Sequence, residues 1–133
     1  MKQKSELTTA VTKLCFIVWS LTILILSVIP SVEPPYPELT YLDKIAHFGQ
    51  YLVFSILYFI MRHLQGGPDK KILKELFILS LILPLFNEVI QLFVPGRTFC
   101  LLDIAANYLG FTMMIIYLKL RSIRKYGKKN EEH

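Results

Sequence analysis

Residues 14–30 read LCFIVWSLTILILSVIP, a run without a single charged side chain. As an α-helix rising 1.5 Å per residue, it would span roughly 25 Å, close to the hydrocarbon thickness of a bilayer. Three further apolar runs follow, at 45–61, 72–94 and 101–120. Across the 133 residues, 53% are hydrophobic and the mean hydropathy is +0.46. A soluble domain of this length needs more polar surface, so the solvent that fits the composition is lipid. The expected fold is therefore all-α, a bundle of four transmembrane helices in one domain.

Polar punctuation separates the runs: Pro34-Pro35-Tyr36-Pro37, Gly66-Gly67-Pro68-Asp69 and Pro95-Gly96-Arg97. Lys2, Lys4 and Lys13 ahead of the first run resemble the n-region of a signal peptide. The apolar core is long for an h-region, however, and Ser27-Val28-Ile29-Pro30 offers no small-x-small cleavage site, so an uncleaved helix is expected. Lys2, Lys4, Lys13, Arg62, Lys70, Lys71, Lys74, Lys119, Arg121, Arg124, Lys125, Lys128 and Lys129 all fall on one side, leaving Lys44 and Arg97 for the other. The positive-inside rule then places both termini in the cytoplasm, with segments 31–42 and 95–100 facing outward. The formal net charge of +5 is accounted for by this flanking, so no nucleic-acid partner is expected. Cys15 and Cys100 fall near opposite membrane faces, too far apart for a disulfide.

The ionisable groups within the runs are concentrated at the outward ends of helices two to four. Asp43, Lys44 and His47 open the second helix, and Gln50 and Tyr51 continue their face inward. Glu88 and Gln91 lie near the end of the third, about six residues before the expected end in the case of Glu88. Arg97 follows in the loop, and Asp103 and Asn107 open the fourth. A charged group at a helix centre costs on the order of 2.5–3.5 kcal/mol on insertion scales, and less near the interface. At about 100° per residue, Asp43, Lys44 and His47 share one face; Glu88 and Gln91 are i,i+3 neighbours, and Asp103 and Asn107 are i,i+4. Apolar solvent turns such stripes toward one another, and Ala105, Ala106 and Gly110 permit close approach of the fourth helix. A polar pocket open to the outside is the expected result. Phe48, Phe54, Tyr58, Phe77 and Phe86 are expected to pack or face lipid.

The polar residues form two spaced strings. One is Asp43-Lys44-x-x-His47-x-x-x-Tyr51. The other is Glu88-x-x-Gln91-x-x-x-Pro95-x-Arg97-x-x-x-x-x-Asp103-x-x-x-Asn107-x-x-Gly110. In order, spacing and helix placement they resemble the VanZ-like family of small bacterial membrane proteins. The resemblance covers roughly 14–120, between a cytoplasmic N-terminal tail (1–13) and a basic cytoplasmic C-terminal tail (121–133). The family's name-giving member is associated with teicoplanin resistance, so the resemblance implies a link to the cell envelope and to glycopeptide resistance.

Chemically, His47, Glu88 and Asp43 are the candidates for acid–base catalysis, and Lys44, Arg97, Gln91, Asp103 and Asn107 for substrate binding. Arg97 offers a bidentate clamp for phosphate or carboxylate. A carboxylate at Glu88 opposes the local helix dipole and calls for a proton, Lys44, Arg97 or a metal ion. Asp103 and Asn107 are expected to pair with Arg97 and with Gln91 or the third helix's backbone. No cofactor is predicted; Asp43, His47, Glu88 and Asp103 include enough donors for a divalent cation, but in no recognised metal spacing. Three readings stay open: an enzyme acting on a membrane lipid or lipid-linked wall precursor, a binder of lipid or amphiphilic antibiotic, and a salt-bridge network that locks the bundle. Transport is disfavoured because the first helix lacks an embedded carboxylate.

Overall fold

The computed structural model describes residues 2–30 and 39–131, with side chains placed from 5 to 30 and from 41 to 125. It contains four helices and, among the described residues, no strand: α1 (Lys2–Val28), α2 (Leu39–Leu64), α3 (Asp69–Gln91) and α4 (Leu101–Glu131). Three helices are long and apolar enough to cross a membrane, over Ser5–Val28, Tyr41–Leu64 and Leu101–Lys125. α3 differs by carrying Lys74, Glu75 and Glu88, yet Phe77, Ile78, Leu81, Ile82 and Leu85 give it an exposed apolar face of the same kind.

The helices outrun the apolar segments, because membrane thickness limits the apolar run and not the hydrogen-bond ladder. Residues 2–13 contain no Pro or Gly, so α1 runs through the expected N-terminal tail; α4 likewise continues to Glu131. α3 is the exception and stops at Gln91, short of residue 94. The first loop, expected over 31–42, lies largely outside the described residues, and the part from Leu39 onward belongs to α2.

Successive helices run antiparallel, so the C-terminal ends of α1 and α3 meet the N-terminal ends of α2 and α4. α2 and α4 form the most extensive contact, with α3 against α4 and α1 outside against α2 and α3. Gly110 makes the central crossing possible. A Cβ there would stand 2.6 Å from the Phe48 carbonyl oxygen and 2.8 Å from the Leu52 nitrogen, so α4 touches the α2 backbone directly. Ala105, expected at the same contact, is exposed instead. Around the crossing, Tyr51, Phe54 and Phe111 pack with ring centroids 5.3–6.3 Å apart. Of the other aromatics, Tyr58 packs against Phe16 and Phe54, whereas Phe77 and Phe86 are exposed.

At the end away from Asp43, the Arg62 guanidinium grips Glu75 with two bonds of 2.8 and 3.0 Å, and Tyr58 donates to the same carboxylate at 2.9 Å. This bidentate pair explains how an apolar helix accommodates Glu75. Asp69, the first residue of α3, faces Arg121 at 3.4 Å and His63 at 3.7 Å.

Candidate functional site

The opposite end of the bundle gathers the remaining polar residues, and the geometry starts from α2. The first turns of this helix carry Asp43, Lys44 and His47 on one face, and that face meets α4. The Lys44 ammonium contacts the Asp103 carboxylate and lies 3.0 Å from Asp43, so one cation serves two carboxylates on two helices. Asp103, expected to pair with Arg97, is thus claimed by Lys44, which approaches it from the directly opposed helix.

His47 is 4% exposed. Its Nδ1 lies 3.2 Å from Asn107 Oδ1, within hydrogen-bonding distance of the amide. Nε2 points between Asp43 and Asp103, 3.8 Å from an oxygen of each, too far for a hydrogen bond but well within electrostatic reach. Asn107 therefore orients an imidazole, where pairing with Gln91 or the α3 backbone was expected. The cause is the tight α2–α4 crossing at Gly110, which brings Asn107 level with His47.

Glu88 lies in the last turn of α3, since the helix ends at Gln91, and not six residues before its end. Its backbone carbonyl accepts from Leu92, and its Oε2 accepts from the Cys100 amide at 3.3 Å. The side chain is fully buried, and Oε1 has no partner. Among the described residues no Lys or Arg forms an ion pair with it, so of the expected options (a proton, Lys44, Arg97 or a metal ion) the two side chains are not bonded to it. The charges of Asp103 and Lys44 are nonetheless close enough to act on it.

Arg97 takes a different role from the expected partner of Asp103. Gly96, at φ +76°, turns the chain after Pro95 through a conformation that suits glycine. The guanidinium then donates to the carbonyls of Leu26 at 3.0 Å and Ile29 at 3.3 Å. It caps the C-terminal end of α1, where carbonyls lack helical donors and the dipole favours a cation.

These side chains border a cavity of about 240 Å³ that includes Asp43, His47, Gln50, Gln91 and Arg97, closed on the α1 side by Leu26 and Ser27. The structure thus brings all eight candidates to one end, with Asp43, His47, Gln91 and Arg97 on the cavity itself. Lys44, Asp103, Asn107 and Glu88 stand behind them.

Reasoning from sequence missed α1. Ser27 contacts Asn87 Oδ1, and Trp19 donates to the Gln50 carbonyl at 3.0 Å. The available signal was a serine in the last turn of α1 and an asparagine beside Glu88, both unusual in lipid-facing sequence.

Asp43, His47 and Asp103 place one donor atom each within 4.8 Å of one another, the geometry of a cation site. The Lys44 ammonium already contacts both carboxylates, so a dication would have to displace it, and Glu88 does not belong to the set.

A family model described as VanZ/LLP1 matches residues 3–122 of the chain. No curated protein and no solved structure matches it.

Proposed function

The chain belongs to the VanZ/LLP1 family, and from that premise we propose that its polar cavity takes up the headgroup of a membrane lipid or lipid-linked envelope compound, with His47 moving a proton. The observation that carries this reading is the placement of the imidazole. His47 borders the cavity with Nδ1 3.2 Å from Asn107 Oδ1 and Nε2 3.8 Å from an oxygen of each of two carboxylates. In the proposed reaction, an imidazole with its proton on Nδ1, donated to Asn107, accepts a proton from a substrate hydroxyl or water at Nε2. The imidazolium so formed is stabilised by Asp43 and Asp103. Arg97 faces the same space with a charge only partly occupied by neutral carbonyls, which suits a phosphate. Glu88 is a second proton carrier, buried behind the cavity with one free oxygen.

The orientation is part of the proposal. The basic residues flank the end opposite the cavity, so in a bacterial cytoplasmic membrane the cavity opens outward and both termini lie inside. Envelope precursors and lipid-bearing glycopeptides are both present at that outer surface.

A second reading has its own support. Lys44 ties α2 to α4, and Arg97 ties the α3–α4 loop to α1, as a purely structural network would. Mass spectrometry of the lipids and wall precursors from cells with and without the protein separates the two. Under the catalytic reading, at least one lipid or precursor mass changes with the wild-type chain. His47→Ala then lowers the change by about 100-fold or more, the usual scale for loss of acid–base catalysis, while the protein still accumulates in the membrane. Identical masses in both strains would reduce the cavity to a binding or structural role.

A further inference from the structure

At the end of the bundle away from the polar cavity, a second space of about 350 Å³ lies between the α2–α3 turn and α4. Its wall takes His63 from the end of α2, Asp69 and Lys70 from the start of α3, and Ser122 and Lys125 from α4. Two ammonium groups from different helices thus border one cavity, together with an imidazole and a hydroxyl.

Asp69, the acidic residue of this wall, does not cancel them. It faces Arg121 on α4 at 3.4 Å. The Arg121 guanidinium, which can only donate, also bonds His63 Nε2 at 3.3 Å and lies over the Phe59 ring, 5.2 Å from its centroid. Arg121 therefore fastens α2, α3 and α4 together behind the cavity. Counted with the wall, Lys70, Lys125 and Arg121 stand against the single charge of Asp69. The balance is positive. α3 starts at the same wall with Pro68 as its N-cap and no side-chain cap, so the positive end of its dipole adds to the lysines.

Depth points to the source of an anion. The apolar spans of α2 and α4 end at Leu64 and Lys125, which sets the cavity level with the lipid headgroups. Leu64 and Ile123, next in sequence to His63 and Ser122, are exposed apolar side chains. Basic pockets between helices at this depth suit the headgroups of anionic lipids, whose chains stay in the bilayer.

We propose that this cavity binds the phosphate of an anionic phospholipid, with Lys70 and Lys125 gripping it from two helices. The site is separate from the polar cavity and from the reaction proposed there. In the orientation given above, the lipid belongs to the cytoplasmic leaflet. Held there, it ties α3 to α4 at the basic end, as Lys44 ties α2 to α4 at the other.

The test is native mass spectrometry of the full-length protein in neutral detergent, with phosphatidylglycerol, phosphatidylcholine and inorganic phosphate as probes. Phosphatidylglycerol is expected to bind about fivefold or more tightly than phosphatidylcholine, the worth of one charge at such a surface. Both lysines are exposed, so replacing them leaves the core intact. Lys70→Gln with Lys125→Gln should weaken phosphatidylglycerol binding roughly 10- to 30-fold. The control is Lys71→Gln with Arg124→Gln, which removes two exposed cations from the same stretches but none from the wall, and should leave binding unchanged. Equal losses in the two double variants would reduce the effect to diffuse basic attraction and overturn the site. Equal affinity for the two lipids overturns it as well, and inorganic phosphate binding as tightly as phosphatidylglycerol overturns the lipid as its occupant. His47→Ala and Arg97→Ala should leave the binding that depends on Lys70 and Lys125 intact, which keeps this site's failure distinct from that of the polar cavity.

Discussion

Gly110→Ala is expected to lower stability by roughly 1–3 kcal/mol, the usual range for overpacking, and Gly110→Leu to prevent accumulation of the folded protein. The added methyl lands on the α2 backbone, 2.6 Å from the Phe48 carbonyl oxygen and 3.1 Å from the Tyr51 carbonyl carbon. Backbone cannot rotate aside as a side chain can, so the two helices must separate. Separation undoes the fully buried packing of Phe111 and shifts Asn107 relative to His47. Gly49 is the built-in control, because a Cβ there meets nothing within 4 Å. Gly49→Ala is expected to be neutral or slightly stabilising, since alanine is the better helix former. Unfolding in mixed SDS micelles compares the two, and equal midpoints for Gly110→Ala and Gly49→Ala would remove the close crossing from the account.

Lys44→Met is the other large effect. It strands the Asp103 carboxylate, whose side chain is 7% exposed, without its cation. Removing one partner of a buried pair costs about 3–5 kcal/mol; the carboxyl can limit the loss by taking up a proton. Lys44→Met combined with Asp103→Leu is expected to recover part of that loss, because the buried charge leaves with its partner. A double-mutant cycle reads the coupling, and simple additivity of the two changes would show that the pair contributes no interaction to the fold.

The architecture and the site were legible in the sequence to different depths. Apolar runs and their polar breaks announce the four helices because lipid demands length and hydrophobicity together. The spacing of Asp43, Lys44 and His47 announces a common face, since the period of a helix is fixed. Pairings depend on the rotation and height of neighbouring helices, which the sequence carries weakly. Gly110 sets the height of α4 against α2, and with it the choice of Lys44 for Asp103 and of His47 for Asn107. Arg97 depends on the turn at Gly96, a loop geometry without periodic signature. Ser27 passed for one more residue of an apolar run, and only the packing of α1 on α3 reveals its contact with Asn87.

The sparse burial of α1, 11% of its most apolar window, bears on how the chain is made. No ionisable residue lies between Lys13 and Pro30, so this helix can leave the translocon alone and early. α2 enters with Lys44 paired only to its neighbour Asp43, and the second counter-charge, Asp103, emerges only after α3 has been translated. A waiting period is therefore expected, in which α2 is held by its apolar stretch while its polar end stays at the membrane surface. The arrival of α4 ends it, drawing the charged turn of α2 into the finished bundle.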